Sequence, residues 1–570
     1  MPRILGMFGL GSGLPGTSLA ISFIIGAGAF ATYDQWHRIE ARFFPETEKP
    51  LSHVETFPWS TQETGLLTLR RAEIPLGNTA GFGTGGAIGT IGNTVIYASA
   101  SGHIATVDVV RGQIEYSPQR VPMNYDYLQK NIFPLHASFR SEWYRVQDIL
   151  VVPERDNLPA VLYASHHVFD EAEQAICAAV SEIGLDTSGG TVRLLDGPWR
   201  EVYRLRECLD MDTYDWVFLG LEGGGKLVEL DNEHILFAVG DYGIAWETPV
   251  RGKVGIEHEN DFGKFVRINR FTGSSDIFAN GSRNPQGLTR DSDGRIWQTE
   301  HGPQGGDEVN LLTEGADLGW PKVSLGVAYG TPRARLITNP VQGRHDGYDA
   351  PEFAFIPSVG LSAIQAMPQN PAAFALWSND LLAASLVGQT LYRLRHEGTD
   401  IIYSEPINMG ERIRDIALLE NGWIALLGKQ DRTLILLREA PERGEDTTGP
   451  LRITGYDAVS EREADIIRTL GEPVWGRILF AEKCSRCHSV NGQMRQGPPL
   501  NGVVNRPIGS VEGYDYSPAL ANANGKWSPS RLRSYSANPE AVFPETTMPG
   551  GYDLERWQYR EIVVYLKSID

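Results

Sequence analysis

From Thr68 to Arg438 the apolar residues come in short runs, each cut off by glycine, aspartate or asparagine. Thr94-Val-Ile-Tyr-Ala-Ser99, Gly294-Arg-Ile-Trp-Gln-Thr299, Leu391-Tyr-Arg-Leu394 and Asn421-Gly-Trp-Ile-Ala-Leu-Leu427 show the pattern. Short apolar runs between turn residues make strands rather than helices. A turn followed by a strand recurs in β-propeller blades, and roughly 370 residues suit six four-stranded blades. The repeat is too weak for its spacing alone to count them. Glycine supplies 62 of the 570 residues, above the roughly 7% of ordinary chains, as tight turns require.

The rest of the chain divides around this block. No charge lies between Arg3 and Asp34, and Leu19 to Tyr33 is the most apolar part. About 20 residues of helix cross a bilayer, so residues 1–33 are long enough to anchor the chain. Arg3 before the segment favours an amino terminus in the cytoplasm, with Tyr33 and Trp36 at the far interface. The alternative is a cleaved signal peptide, because Ala29-Phe-Ala31 resembles a cleavage site. Both readings export the body. The first places it on the periplasmic side of a bacterial inner membrane, held by one span, and the second leaves it soluble in the periplasm. Residues 34–67 read as a connector. The polar stretch Glu439-Ala-Pro-Glu-Arg-Gly-Glu-Asp-Thr-Thr-Gly-Pro450 opens a linker over 439–463.

A formal charge of −20 excludes a phosphate-binding surface and so a nucleic-acid partner. Of four cysteines, Cys177 and Cys208 stand apart and form either a disulfide in an exported chain or two free buried thiols. His166-His167 is read as a pair of strand histidines rather than metal ligands. Gly83-Thr-Gly-Gly-Ala-Ile-Gly89 has a superficial likeness to a nucleotide loop but lacks the helix that should follow.

From Ser460 the apolar period becomes helical, with Ala464, Ile467, Leu470, Val474, Ile478 and Leu479. The end of the chain, Trp557 to Lys567, is a second amphipathic helix, so 464–570 is a mainly α domain. Between these helices lies Cys484-Ser-Arg-Cys487-His488, the C-x-x-C-H attachment signature of c-type haem. Two thiols bond the haem vinyl groups and the adjacent imidazole reaches the iron. No second cysteine pair exists to complete a zinc site, and the flanking segment is helical rather than the βα unit of a redox pair. A six-coordinate haem needs a second axial ligand, and a thioether raises its potential. Met548, in Thr546-Thr-Met-Pro-Gly550 ahead of the last helix, is placed for that role.

Residues 465–570 resemble a class I cytochrome c of the mitochondrial and bacterial c2 type. The matching stretches are Gly476-Arg-Ile-Leu-Phe480, Gly497-Pro-Pro-Leu500, Tyr514-Asp-Tyr-Ser517, Trp527 and Thr547-Met-Pro549. The resemblance implies that Pro498 accepts a hydrogen bond from His488, and that Arg506, Tyr516 and Trp527 bind a haem propionate. Gly550 stands where the family often has an aromatic residue.

The middle block carries a second resemblance, on Asp261-Phe-Gly-Lys-Phe-Val-Arg-Ile268, Gly281-Ser-Arg-Asn-Pro-Gln-Gly-Leu288, Gly294 to Asn310, Gly319-Trp-Pro321, Pro357-Ser-Val-Gly360 and Arg412-Ile-Arg-Asp415. These are similar to the soluble glucose, aldose-sugar and sorbosone dehydrogenases that use pyrroloquinoline quinone (PQQ), which are six-bladed propellers. The resemblance assigns Arg283 with Asn284, and Arg412 with Arg414, to the quinone carboxylates, which a guanidinium fork suits. It assigns the carbonyls of Gly302 and Pro303 to the Ca²⁺ beside the quinone, and Asp307 and Glu308 to a structural Ca²⁺. The family's catalytic histidine, in H-x-G-G-R, is replaced in Glu222-Gly-Gly-Gly-Lys226. Its cofactor-holding lysine is replaced by Val387 in Ser385-Leu-Val387, and its early glutamine loop has no counterpart. Glu222 serves as a base only with a raised pKa.

The expected architecture is therefore a transmembrane helix, an all-β six-bladed propeller and an all-α class I cytochrome c carrying one covalent haem. Two functions follow. In one, the propeller has lost catalysis and docks redox partner proteins in a membrane electron-transport complex while the haem relays electrons. In the other, PQQ and Ca²⁺ oxidise a sugar or alcohol and pass electrons singly to the haem.

Overall fold

A computed structural model describes residues 54–570, apart from 77–85, 129–143, 156–157, 211–219, 244–259, 328–340, 343, 429–432, 442–448, 456–475 and scattered C-terminal positions (477–478, 481–482, 486, 549–558, 560–561, 564, 568 and 570). The segment expected to anchor the chain, 1–33, lies outside the described residues. Among the described residues no helix is long and apolar enough to cross a membrane.

Six antiparallel sheets stand in a ring. Their innermost strands are Gly86–Ile91, Val146–Val152, Gly224–Glu229, Pro285–Arg290, Leu361–Ala366 and Ile413–Leu418, and each packs beside the next until the sixth meets the first. The second strand of a blade lies between both neighbouring blades and loses solvent on both faces. Thr94–Ser99, Ile296–Glu300, Leu381–Ser385 and Ile424–Gly428 are buried at every position. That is why these segments read as unbroken short runs, whereas the outer strand Asp400–Asn408 is mostly exposed and polar. Turns are tight: Gly92-Asn93 joins the first two strands of blade 1, with Gly92 at a φ of 56° that costs glycine little.

The ring closes through strand exchange between the chain's two ends. Thr68–Pro75 pairs antiparallel with Thr433–Glu439 and completes the sixth blade. Ser60–Glu63 adds to its edge. Leu451–Thr454 and Val54–Phe57 pair with each other and extend the first blade. The sheets thus reach past 68–438 at both ends, into the expected connector and linker.

Cys177 and Cys208 are bonded, with Cα atoms 4.6 Å apart, so of the two readings the disulfide is the one found. His166 and His167 are buried in Val161–Asp170. Both ring nitrogens of each face a protein partner, Ser181 and the His167 carbonyl for His166, the Arg145 amide and the Tyr242 hydroxyl for His167. Gly83 to Gly85 fall outside the described residues, and the strand Gly86–Ile91 follows them.

In the C-terminal domain, Pro518–Ala521, Pro529–Ala537 and Pro539–Val542 are helical. Each opens on a Ser-Pro or Asn-Pro step, which sets φ for the first helical residue, and ahead of the last two the side chain also caps the helix. Ser528 accepts from the Arg531 amide and Asn538 from the Ala541 amide, both at 3.2 Å. Leu479, Phe480, Leu520, Trp527, Tyr535, Tyr559 and Leu566 form the domain's core.

Candidate functional site

The core of the C-terminal domain is hollow. A cavity of about 1270 Å³, counting its open mouth, is lined by Cys484, Cys487, His488, Pro498, Arg506, Tyr516, Trp527 and Met548. These are all eight residues expected at a haem, brought together from across some 65 positions of sequence.

Cys484 N–H bonds back to the Phe480 carbonyl and His488 N–H to the Cys484 carbonyl. This turn presents two free cysteines and the imidazole to one space. Nδ1 of His488 donates to the Pro498 carbonyl at 2.7 Å. That bond fixes the tautomer and leaves Nε2 as the lone-pair nitrogen a metal needs. Burial holds the imidazole pKa below its ordinary value, so the ring is neutral, as ligation demands. Burial also pushes the Cys484 thiol up to about 12. The ring lies flat on Gly497, where a Cβ would sit 2.3 Å from Cε1 of His488. Glycine is required there by close approach, a signal hidden in a Gly-Pro-Pro stretch. Arg506 donates to the carbonyls of Pro499 (2.8 Å) and Asn501 (3.1 Å), and this braces the loop beyond the imidazole. On the far side the Met548 amide donates to Thr546 Oγ1 at 3.4 Å, and Thr546 is bonded to the Tyr535 hydroxyl. Tyr535 and Thr546, which hold the methionine loop, were not singled out from sequence. Two thiols, an open imidazole nitrogen and a thioether around an apolar cavity of this size fit a covalent haem.

The propeller residues are arranged differently. Arg283, Gly302, Pro303 and Glu308 line a small cavity of about 230 Å³ together with Glu300 and Trp320. Asn284 lies beside it, its amide donating to His301 Nδ1 at 3.3 Å. Arg412 is exposed, Arg414 is half-buried, and Val387 is 69% exposed against Gly360; none of the three lines that cavity. Arg283 turns inward: it ion-pairs with Glu222 and donates to the carbonyls of His301 (3.1 Å) and Gly302 (3.0 Å). A metal at Gly302 would compete with that guanidinium, and quinone carboxylates would compete with Glu222. The residues present do not fit PQQ with its Ca²⁺.

The Asp307 carboxylate, expected at a structural Ca²⁺, is taken up by amide and hydroxyl donors. Its two oxygens accept from Gly302 N, Ser358 Oγ, Val359 N, Gly360 N and Leu361 N, between 2.5 and 3.3 Å. A carboxylate with about four lone-pair sites has none left, and its place is to staple the fourth blade to the fifth. Glu308 keeps capacity: burial first, then the neighbouring Glu300, pushes its pKa well above the carboxylate range. Asp241, missed in the sequence, is fully buried and accepts from Trp320 Nε1 at 2.7 Å. Burial, then the charge of Glu222, raises its pKa.

Comparisons with known proteins match both halves. The family described as Glucose / Sorbosone dehydrogenase matches residues 217–437, and Cytochrome c matches 474–570. The cytochrome c-type cyt cy of Rhodobacter capsulatus is 35% identical over 107 residues, 19% of this chain and 54% of that protein. The cytochrome c of Theileria annulata is 34% identical over 112 residues, 19% of this chain and 96% of that protein. The apo structure of the soluble aldose sugar dehydrogenase of Escherichia coli superposes with a TM-score of 0.50 at 18% identity, covering 65% of this chain and 100% of that one, which shows a shared fold. The chain spans little more than half the length of two curated relatives it matches, 57% and 54%. Through residues 474–570 the chain belongs to the cytochrome c family, joined to a six-bladed propeller of the glucose/sorbosone dehydrogenase type.

Proposed function

We propose that this is an exported electron-transfer protein carrying one haem c, whose propeller no longer catalyses and serves to dock redox partners in a membrane complex. The cavity that gathers Cys484, Cys487, His488 and Met548 carries the reading. When bound, the haem supplies one-electron chemistry. The protein's own residues do the rest: the two thiols anchor, the Pro498 carbonyl orients His488, and Trp527, Leu520 and Leu566 exclude water. Export is supported by the Cys177–Cys208 disulfide, which persists in oxidising compartments. The segment 1–33, uncharged from residue 4 onward, supplies the membrane span or the export signal.

A second reading, a PQQ- and Ca²⁺-dependent sugar or alcohol dehydrogenase feeding its own haem, draws on the family match over 217–437. It requires Arg283 to leave the carbonyls it now holds.

Substituting Met548→Ala tests the haem assignment. The expected result is haem still covalently attached and a potential lowered by on the order of 0.1 V, within the ~0.8 V that axial ligation spans. An unchanged potential removes Met548 as ligand. Protein matured with haem-attachment machinery that is colourless, with both thiols titratable, ends the electron-carrier reading.

A further inference from the structure

We infer that Glu222 and Arg283 form an internal lock in which the guanidinium takes the place of the cofactor's cation, so that this propeller excludes the quinone that the resemblance to the sugar dehydrogenases implies. The inference rests on the non-catalytic reading of the propeller and gives it a structural cause.

Glu222 is held in position. It has a φ of 60°, uncommon outside glycine, and its carbonyl accepts from the Tyr242 amide at 3.1 Å. The same carbonyl lies so close to Gly240 that a Cβ there would come within 1.7 Å of it. Gly223, Gly224 and Gly225 follow, the last two at φ 63° and 111°. The backbone is therefore fixed on one side and folded sharply on the other, and the side chain reaches Arg283 in the next blade. Such a conformation persists only where its surroundings over-determine it.

Arg283 is held from several directions at once. Two carbonyls, His301 and Gly302, accept from one nitrogen, and Glu222 pairs with the other. The Trp320 ring lies 5.5 Å from its Cζ, within cation–π range. Trp320 is in turn held by Asp241. The Arg283 side chain is 5% exposed and that of Glu222 14%. A buried cation already matched by a carboxylate has no charge left for an incoming anion. Carbonyl oxygens that accept from a guanidinium are lost to a divalent ion. An anionic quinone would meet Glu222 unshielded, and like charges facing each other cost several kcal/mol. The substitution of the family's histidine thus does more than remove a base, because the carboxylate that replaces it captures the arginine meant for the cofactor.

The test uses the full-length haem protein, with PQQ and Ca²⁺ titrated against tryptophan fluorescence. The wild type is expected to bind PQQ at least about tenfold more weakly than Glu222→Gln or Glu222→His, since one desolvated like-charge contact is worth that much or more. Unchanged haem absorbance and a retained cooperative melting transition certify that the variants are folded. Equal PQQ affinity in wild type and either folded variant, strong or weak, overturns the lock. The wild type needs no substitution, so tight Ca²⁺-dependent PQQ binding by it overturns the lock by itself. Failure of the non-catalytic reading is distinguishable: it shows as haem reduction when an aldose is added to wild type with PQQ.

Discussion

His166 sits in the middle of a buried strand with nothing to ligate. Its Nδ1 donates to the His167 carbonyl at 3.0 Å and its Nε2 accepts from the Ser181 hydroxyl at 2.9 Å. Burial pushes its pKa from 6.5 to about 4. Between those values the unfolded chain binds a proton that the native chain refuses, so ν(U) exceeds ν(N) and stability rises with pH. The contribution is complete above pH 6.5 and is lost as pH falls towards 4, by roughly 3 kcal/mol. Melting temperatures of wild type and His166→Gln, followed across that window, should converge as the medium is acidified. Parallel curves would contradict a neutral buried imidazole. The contrast with His488 shows what sequence discloses at this scale. His488 stands next to its cysteine partners, so its chemistry is contiguous and readable. Ser181 beside His166, Arg283 beside Glu222 and Trp320 beside Asp241 come from other strands or other blades, and no local pattern announces them.

Strands disclose more than single side chains, because burial on both faces writes itself into composition. The runs around Thr94, Leu381 and Ile424 were readable as strands for that reason. The six blades were legible from block length and family resemblance rather than from repeat spacing, and the closing partner of Thr68–Pro75 was not legible, since pairing with Thr433–Glu439 joins segments far apart in the chain. At the axis the inner strands are tied by charge. Lys226 Nζ donates to Asp148 at 2.8 Å and Asp415 at 2.7 Å. The remaining oxygens accept from Leu227 N and Ile88 N, so one ammonium and two carboxylates join blades one, two, three and six. All three side chains are at least nine-tenths buried. Burial raises Asp148 to about 6, a shift that nearby Lys226 opposes. Replacing Lys226 with methionine leaves two carboxylates facing each other and should cost about 3–5 kcal/mol at neutral pH. The loss should shrink on acidification, because protonating the aspartates removes their repulsion. Chemical denaturation followed by far-ultraviolet circular dichroism measures it; a loss below about 1 kcal/mol would mean that the cluster is not an interblade tie.

At the level of the molecule, two pairs of cysteines have different fates. Cys484 and Cys487 must stay reduced until haem arrives, while Cys177 and Cys208 are oxidised. The proposed export accounts for the second outcome, since disulfides persist in oxidising compartments. Their energetic roles differ. The bridge links residues 31 apart in the second blade, and closing such a loop in the unfolded chain is worth roughly 3 to 4 kcal/mol. Cys177, Val168 and Ala179 pack with Cys208 in a small cluster of their own, distinct from the core around Phe480 and Trp527. Double substitution of Cys177 and Cys208 by serine should therefore lower the propeller's melting transition and leave haem absorbance and potential as they were. Calorimetry on haem-loaded protein, with the Soret band recorded in parallel, separates the two effects. A propeller transition that does not move would show that the bridge does not form, and with it would go the argument for an oxidising compartment. A haem potential that moved with the propeller would show instead that the two cores are energetically coupled, and docking at the propeller would then reach the iron.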